Sequence, residues 1–374
     1  MRRPLPLLDL QGRPSEVGFD HGRLARTAIA ENVRMYLARF YQEGRIDRDE
    51  ARRRAAAYLR VIEGTNPAYA EELRGIGEGS RQELLDIVAV NVRYEIMYSE
   101  FVRKGLERQP VHVGGCTSFA ILPEKTSNGH LLIGQNWDWI PEVRGLVVRA
   151  RRHGLPESLG FTEAGIAGAK FGLNAAAIGL VINGLVSDRD TWSRLQKPFH
   201  VRCHEILASR SLDEAVRAVL GARRACSSNF LIVQGAPDPK AVDVEAAPDD
   251  DRVLEPADGF LTHTNHFVDP DSLGIGQPLA DDRPSTFARL ERIQELLRSR
   301  MAGNRSVGVD DLRQVLRDHA NAPLSLCRHE DPARKPNEQF LTVVSVVMDV
   351  DAREMFIVGG NPCEGRYRRY RLAA

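Results

Sequence analysis

The stretch that most constrains this chain is Gly114-Gly115-Cys116-Thr117-Ser118, followed by Gly134-Gln135-Asn136-Trp137-Asp138-Trp139. Cys116 stands at the mouth of an alternating apolar run, Thr117–Leu122. Ser127-Asn128-Gly129 then turns the chain, and a second run, His130–Gly134, brings it back. Asn-Gly between two such runs is the strongest short-range hairpin signal. The hairpin therefore returns Asn136 and Asp138 to the neighbourhood of the Cys116 thiol.

Gly115 gives the peptide bond before that thiol access to conformations closed to other residues, including one that exposes its carbonyl carbon. Attack by the thiol would turn the amide into a thioester, and water would then release a chain beginning with Cys116. The new α-amino group has a reference pKa of about 7.7–8.0 and can act as a base near neutral pH. One residue then supplies both nucleophile and base.

Around this stretch lie Gly18-Phe19-Asp20-His21-Gly22, Arg74-Gly75-Ile76-Gly77-Glu78-Gly79, Asn91-Val92-Arg93-Tyr94-Glu95, Thr162-Glu163-Ala164-Gly165-Ile166, His263-Thr264-Asn265-His266 and Leu326-Cys327-Arg328. In this order, and together with Gly115-Cys116-Thr117 and Gly134-Gln135-Asn136-Trp137-Asp138, they resemble the acyl-coenzyme A:6-aminopenicillanate acyltransferase family. That family forms the C45 peptidases within the N-terminal-nucleophile hydrolases. The resemblance runs from roughly Gly18 to Cys363. It implies an α+β fold, a four-layer αββα sandwich, made as a precursor that cleaves itself between Gly115 and Cys116. It divides the chain into a mainly helical fragment, 1–115, and a β-rich fragment, 116–374, which stay associated as one folded unit. It further implies a small N-acyl amide or acyl-CoA substrate and neither cofactor nor metal.

The same resemblance assigns roles residue by residue. Cys116 is the nucleophile. Asp138 corresponds to the family's catalytic aspartate and would orient the Cys116 amine or thiol. Asn265 is the oxyanion-hole candidate, since an amide donor at that place is worth ~2.7–4 kcal/mol in comparable enzymes. Gln135 stands where bile-salt-hydrolase-like and ceramidase-like branches carry an arginine, which favours the penicillin-acyltransferase branch. Asn136 is either a neighbour of the site or structural. Asn183, in Ile182-Asn183-Gly184, is either a site asparagine or a turn signal. Arg328 and Arg289 could bind a substrate carboxylate or hold Asp138, and Arg289, on an amphipathic helix, reads first as solvated or ion-paired. Ser228 could assist positioning. His263 and His266 lack companion ligands for zinc, and Cys203, Cys226, Cys327 and Cys363 read as packing residues.

Composition bounds the alternatives. Of 374 residues, 43% are hydrophobic and 27% charged, as in a soluble globular protein. Lys+Arg and Asp+Glu both number 51, so net charge argues for neither nucleic acid nor an anionic membrane. No apolar stretch approaches the roughly 20 residues of a membrane span. Met1–Gly12 lacks a secretory core and cleavage site, and five scattered cysteines suit a reducing compartment. The expected location is cytoplasmic. Two other readings remain: a catalytically silent binding scaffold, and an unprocessed cysteine hydrolase with His263 or His266 as base.

Periodicity is helical from Ser15 to about Tyr98, with Leu24, Ala28, Met35 and the Leu37/Phe40 pair on one face. Asp47 with Glu50, and Ser80 with Glu83, are capping-box candidates. The Ala51–Ile62 helix has an arginine-dense face that reads as solvated, and Phe101–Gly115 reads as an exposed linker. After Cys116 the period changes to two. Strands are expected at Thr117–Leu122, His130–Gln135, Leu146–Arg151, Leu159–Thr162, Lys170–Leu173, Ile178–Ile182, Asn229–Gln234, Ala241–Glu245, Gly259–His263, Leu341–Met348 and Glu354–Val358. Helices are expected at about Pro198–Ser209, Asp213–Leu220, Ser285–Arg300 and Asp310–His319. Helices first and strands later fit a layered sandwich and not βαβ alternation.

Overall fold

A computed structural model of the protein describes residues 5–107, 115–278 and 283–372. Strand β1 (Leu7–Gly12) opens the chain, followed by helices α1 (Pro14–Leu24), α2 (Arg26–Gly44), α3 (Arg48–Thr65), α4 (Pro67–Ser80), α5 (Leu84–Asn91) and α6 (Arg93–Leu106). The glycines of the two early motifs explain how α1 and α4 meet. A Cβ on Gly18 or Gly79 would run into the backbone of Glu72 or Phe19, and one on Gly22 or Gly75 into Ile76 or Ser15. The helices therefore touch backbone to backbone, which only glycine permits.

Side-chain caps start the next helices. Asp47 accepts from Glu50 N at 2.8 Å to open α3, and Asn66 accepts from Tyr69 N at 3.0 Å to open α4. Ser80 does not open α5; it is the buried last residue of α4, and its hydroxyl donates to Ile76 O at 2.6 Å. The buried stripe of α2 is Ile29, Val33, Tyr36 and Phe40, rotated from the expected one, and Leu24 is 50% exposed. The arginines of α3 are not simply solvated. Arg48 and Arg52 hold the buried Asp86 at 2.5 and 2.8 Å, and buried Arg54 pairs with Glu100 at 3.1 Å. Part of the expected linker is helix, because α6 buries Phe101 and Val102 and continues to Leu106; residues 108–114 of it lie outside the described residues.

The later chain supplies β2 (Thr117–Ile121), β3 (Leu132–Trp139), β4 (Gly145–Arg152), β5 (Ser158–Glu163), β6 (Phe171–Asn174) and β7 (Ile178–Gly184). Helices α7 (Phe199–Ala208) and α8 (Leu212–Arg217) intervene before β8 (Ser228–Gln234), β9 (Lys240–Ala246), β10 (Asp251–Leu254) and β11 (Phe260–His263). Helices α9 (Arg283–Met301) and α10 (Val309–Val315) precede β12 (Leu341–Asp349), β13 (Glu354–Gly359) and β14 (Arg368–Arg371). An eight-stranded sheet runs β1-β4-β5-β6-β7-β8-β9-β10, and a six-stranded sheet runs β11-β2-β3-β12-β13-β14. All neighbours are antiparallel except β1 and β4.

The sheets face each other through β3 against β7 and β2 against β7 and β8. Helices α7 and α8 cover the larger sheet, and α9 and α10 cover the smaller one. This is an α+β fold, a four-layer αββα sandwich. Strands in its middle are covered on both faces, so β2, β3, β7 and β12 are buried at every residue, the polar side chains of β3 included. One apolar cluster joins side chains from Leu8 to Leu372, including residues on both sides of the Gly115–Cys116 bond. Strands β10 and β14 had no signal in the sequence; both are short edge strands, and β14 is arginine-rich, a common way of blunting an edge.

Because α1 and α4 approach at glycine, Gly79→Ala should destabilise the protein by about 1–3 kcal/mol. Gly64→Ala, where a Cβ meets nothing within 4 Å, should be neutral or stabilising by about 0.4–1 kcal/mol. Denaturant midpoints of the two variants check this, and equal midpoints would contradict the packing argument.

Candidate active site

The expected hairpin forms, with a longer connection than two residues. Thr117 pairs with Asn136 and Ser118 with Gln135, while a 3-10 turn at Pro123–Lys125 and Gly129 at φ 69° bridge the strands. Strand β3 then runs past the start of β2 to Trp139. Asp138 thereby lies level with the Gly115–Cys116 peptide, and Cys116 Sγ is 3.9 Å from Asp138 O. On the other side of β3, Thr342 of β12 pairs with Asp138 and its hydroxyl donates to Asp138 Oδ1 at 2.7 Å.

Gly115 is enclosed by charge. A Cβ there would strike the Arg328 guanidinium and lie 3.2 Å from Asp138 Oδ2 and 3.4 Å from Arg289 Nη2. Arg289, which the sequence placed among solvated or ion-paired residues, is 3% exposed. Its Nη1 donates to Cys116 O and, at 2.9 Å, to Thr117 Oγ1; its Nη2 donates to Asn265 Oδ1 at 3.2 Å and its Nε to Ser285 Oγ at 3.2 Å. A helical stripe cannot reveal that one polar position points inward at a strand end. Arg328 is also buried, and its main chain is pinned to Thr342 by paired bonds of 2.9 and 3.0 Å.

Burial pushes the Asp138 carboxyl up to about 7, against the pull of Arg328 and then Arg289. Burial, with Asp138 adding to it, pushes the Cys116 thiol up to about 11. Beside Cys116 is a small cavity of about 10 Å³ bordered by Tyr98, Trp137, Trp139, Lys170 and Phe199. Its floor contains groups the sequence reading did not assign to the site. Arg93 stacks over the Trp139 ring at 4.7 Å, Lys170 over the Trp137 ring at 4.0 Å, and both pair with buried Glu163. Arg93 and Glu163 belonged to segments that carry the family resemblance, which was the one signal available for them.

The remaining candidates divide. Asn265 N donates to Thr286 Oγ1 at 2.9 Å and its Nδ2 to Gly184 O at 3.0 Å, so it adjoins the site through Arg289. Gln135 Oε1 accepts from Ile182 N at 2.8 Å, which ties the sheets together. Asn136 Nδ2 donates to Leu316 O and Leu326 O at 2.8 and 2.7 Å, tying β3 to the segment that carries Arg328. Asn183 turns to Ser118, accepting its hydroxyl at 2.6 Å, whereas Ile182 and Gly184 on either side border the cavity. Ser228 pairs with Gly184 in the β7–β8 register.

His263 bonds Glu245 at 3.0 Å through Nε2 and Thr264 O at 2.7 Å through Nδ1. Burial alone would lower its pKa, but Asp243 and Glu245 outweigh burial and hold it up at about 9. A charged, doubly engaged imidazole has no lone pair for a base. His266 Nδ1 lies 2.9 Å from Thr286 Oγ1.

A profile of the acyl-coenzyme A:6-aminopenicillanic acid acyl-transferase family matches residues 124–364, and the chain belongs to that family. It is 27% identical over 357 residues to the 40 kDa form of acyl-coenzyme A:6-aminopenicillanic-acid-acyltransferase of Emericella nidulans, covering 94% of this chain and 92% of that protein. It is 22% identical over 395 residues to the beta-alanyl-dopamine/carcinine hydrolase of Drosophila melanogaster, covering 97% and 95%. Among solved structures, it is similar to a Caenorhabditis elegans orthologue of N-acylethanolamine-hydrolyzing acid amidase, with 18% identity, a TM-score of 0.44, and 69% and 100% of the chains covered. Penicillin V acylase from Agrobacterium tumefaciens gives 13% identity, a TM-score of 0.45, and 65% and 83% covered. Among the described residues no helix is long and apolar enough to cross a membrane.

The raised pKa of Asp138 has a consequence for stability. Its folded value of about 7 exceeds the unfolded value of about 3.9, so the native state holds the extra proton between them and stability falls as pH rises through that window. In a Cys116→Ala background, Asp138→Asn should remove that fall. Its stability relative to the Asp138 parent should improve by order 2–4 kcal/mol from pH 4 to pH 8. Paired urea melts at the two pH values check this, and an unchanged difference would contradict it.

Proposed function

We propose that the protein is a precursor that cleaves itself between Gly115 and Cys116 and then acts as a thiol amidohydrolase or acyltransferase. The observation that carries this reading is the position of the Gly115–Cys116 peptide. It lies at the head of β2, beside Asp138 and Arg328, with its thiol buried at a cavity and its next carbonyl held by Arg289.

In the precursor step, Cys116 Sγ attacks the Gly115 carbonyl carbon. The thiol proton ends on the Cys116 nitrogen as the C–N bond breaks, and a thioester links Gly115 to Sγ. Water hydrolyses the thioester, leaving the Gly115 carboxylate, the free thiol and a new α-amine. Fragments 1–115 and 116–374 remain together, since side chains of both belong to one apolar cluster.

In turnover, the amine takes the thiol proton as Sγ attacks an acyl carbonyl, then returns it to the leaving amine. Asp138 positions the amine. Asn265 has two Nδ2 hydrogens, one given to Gly184 O, and the second serves the oxyanion. Water or an acceptor amine then takes the acyl group from sulfur. The side chains beside the thiol at Tyr98, Trp137, Trp139 and Phe199 are aromatic, so an acyl group reaching Sγ would meet an apolar surface. The names of the two relatives, an acyl-CoA-dependent acyltransferase and a beta-alanyl-amine hydrolase, support a small N-acyl amide or acyl-CoA as substrate.

Intact masses of wild type and Cys116→Ala under denaturing conditions test the first step. Two wild-type fragments breaking at Gly115/Cys116, absent in the variant, are expected. An uncut wild type would overturn the reading and favour a binding scaffold. For the second step, Asn265→Ala should lower kcat by about 10²–10³-fold once a substrate is found, with KM changed much less. A change confined to KM would remove Asn265 from the oxyanion role.

A further inference from the structure

On the far side of Arg328 from the candidate site lie four side chains with no assigned role. His319 follows α10, Cys327 and His329 flank Arg328, and Cys363 sits in the turn after β13. One donor atom from each falls within 4.8 Å of every other. Cys327 Sγ is 3.5 Å from Cys363 Sγ and 3.5 Å from His329 Nε2. Cys363 Sγ is 3.3 Å from His329 Nε2, which is 3.1 Å from His319 Nε2.

These separations have a chemical meaning. Bonds of about 2.3 Å to sulfur and 2.0–2.1 Å to nitrogen at tetrahedral angles put donor atoms roughly 3.3–3.8 Å apart. A disulfide would need the sulfurs at about 2.05 Å. Packing alone gives no reason for two thiols and two imidazole nitrogens to converge on one point.

The surroundings agree. Asn361 Nδ2 lies 3.7 Å from Cys327 Sγ, a donor aimed at the sulfur, and also donates to Arg328 O at 2.7 Å. His329 Nδ1 faces Glu364 Oε1 at 3.7 Å, so a carboxylate backs the imidazole whose Nε2 points into the cluster. We propose that His319, Cys327, His329 and Cys363 bind one zinc ion as a closed, tetrahedral structural site. Two thiols and two imidazoles are the ligand set of structural zinc, and four protein ligands leave no open position for catalysis. Binding releases the two thiol protons to solvent.

The site joins the loop after α10 to the turn after β13. Arg328, between two ligands, is thereby fixed with its guanidinium against Gly115. Sequence reading took Cys327 and Cys363 as packing residues and expected no metal, because the ligands come from loops at spacings that match no zinc motif.

The test uses the full-length chain, purified under reductant and dialysed against zinc. Elemental analysis should give one zinc per chain. Replacement by cobalt(II) should give intense tetrahedral d–d absorption with thiolate-to-cobalt charge transfer. Cys327→Ser with Cys363→Ser should abolish both. His319→Ala, at an exposed position, should keep the fold and weaken zinc binding more than tenfold, so the result does not depend on whether the double variant folds. A reduced wild type without stoichiometric zinc and without the cobalt bands would overturn the proposal. So would metal content unchanged in both variants, or a Cys327–Cys363 disulfide in protein kept anaerobic.

Discussion

A carboxylate with no solvent contact needs positive charge nearby, and meeting that need at Asp138 organises this molecule. Asp138 is on β3, Arg289 on α9, and Arg328 on the segment leading to β12. Removing one partner of such a buried group leaves uncompensated charge, which is far costlier than losing the pair. Burial still wins in part, since the carboxyl titrates near 7 despite two guanidiniums. The arginines do further work at close range: Arg289 bonds the Cys116 carbonyl, the Thr117 hydroxyl and the Asn265 amide together. One side chain thus ties the head of β2 to the loop that carries Asn265.

A second buried charge cluster ties the helical part of the chain to the sheets. Glu163 on β5 receives Arg93 from α6, Lys170 from the β5–β6 connection and the Tyr36 hydroxyl from α2. Burial, then Arg93, pushes Lys170 well below its ordinary value, against the Glu163 carboxylate that it meets. Trp137 and Trp139 lie across these cations and border the cavity beside Cys116. Helix α6, through Arg93, Tyr94 and Tyr98, is therefore part of the wall of the candidate site.

What the sequence revealed depended on how local the physics was. Turn chemistry at Asn128-Gly129 and the run of β2 are local, so the hairpin and the return of Asp138 were legible. Face assignment was weaker: the α2 stripe was misphased because α2 carries apolar residues on more than one side, and packing chose Ile29 and Val33 over Ala28 and Met35. Ser80 looked like a cap, but a buried hydroxyl bonding back to Ile76 satisfies it inside α4. Thr342, opposite Asp138 by register alone, had no signal. Arg289 differed from its neighbours on α9 only through tertiary contact. Asn136 and Asn183 could not be resolved from sequence, because strand register decides which of two adjacent side chains faces a cavity.

The two titrating groups at the hairpin head bear on the order of events in the proposed scheme. A thiol at about 11 is thiolate in roughly one molecule in 10⁴ at pH 7, so the uncut chain holds a weak nucleophile. Asp138 near 7 is about half ionised there and lies beside the same peptide, which makes it the nearest group able to accept the proton. Cleavage changes this balance by exchanging a peptide nitrogen, which has no basic lone pair, for an amine with a reference pKa of about 7.7–8.0 on the residue that carries the thiol. The proton acceptor then no longer has to be a carboxylate whose charge burial opposes. Asp138 becomes free to hold the ammonium that forms after proton transfer, where its negative charge is compensated. On this account the burial that opposes charge on Asp138 in the uncut chain favours the later steps, because each proton transfer places a further cation beside the carboxylate.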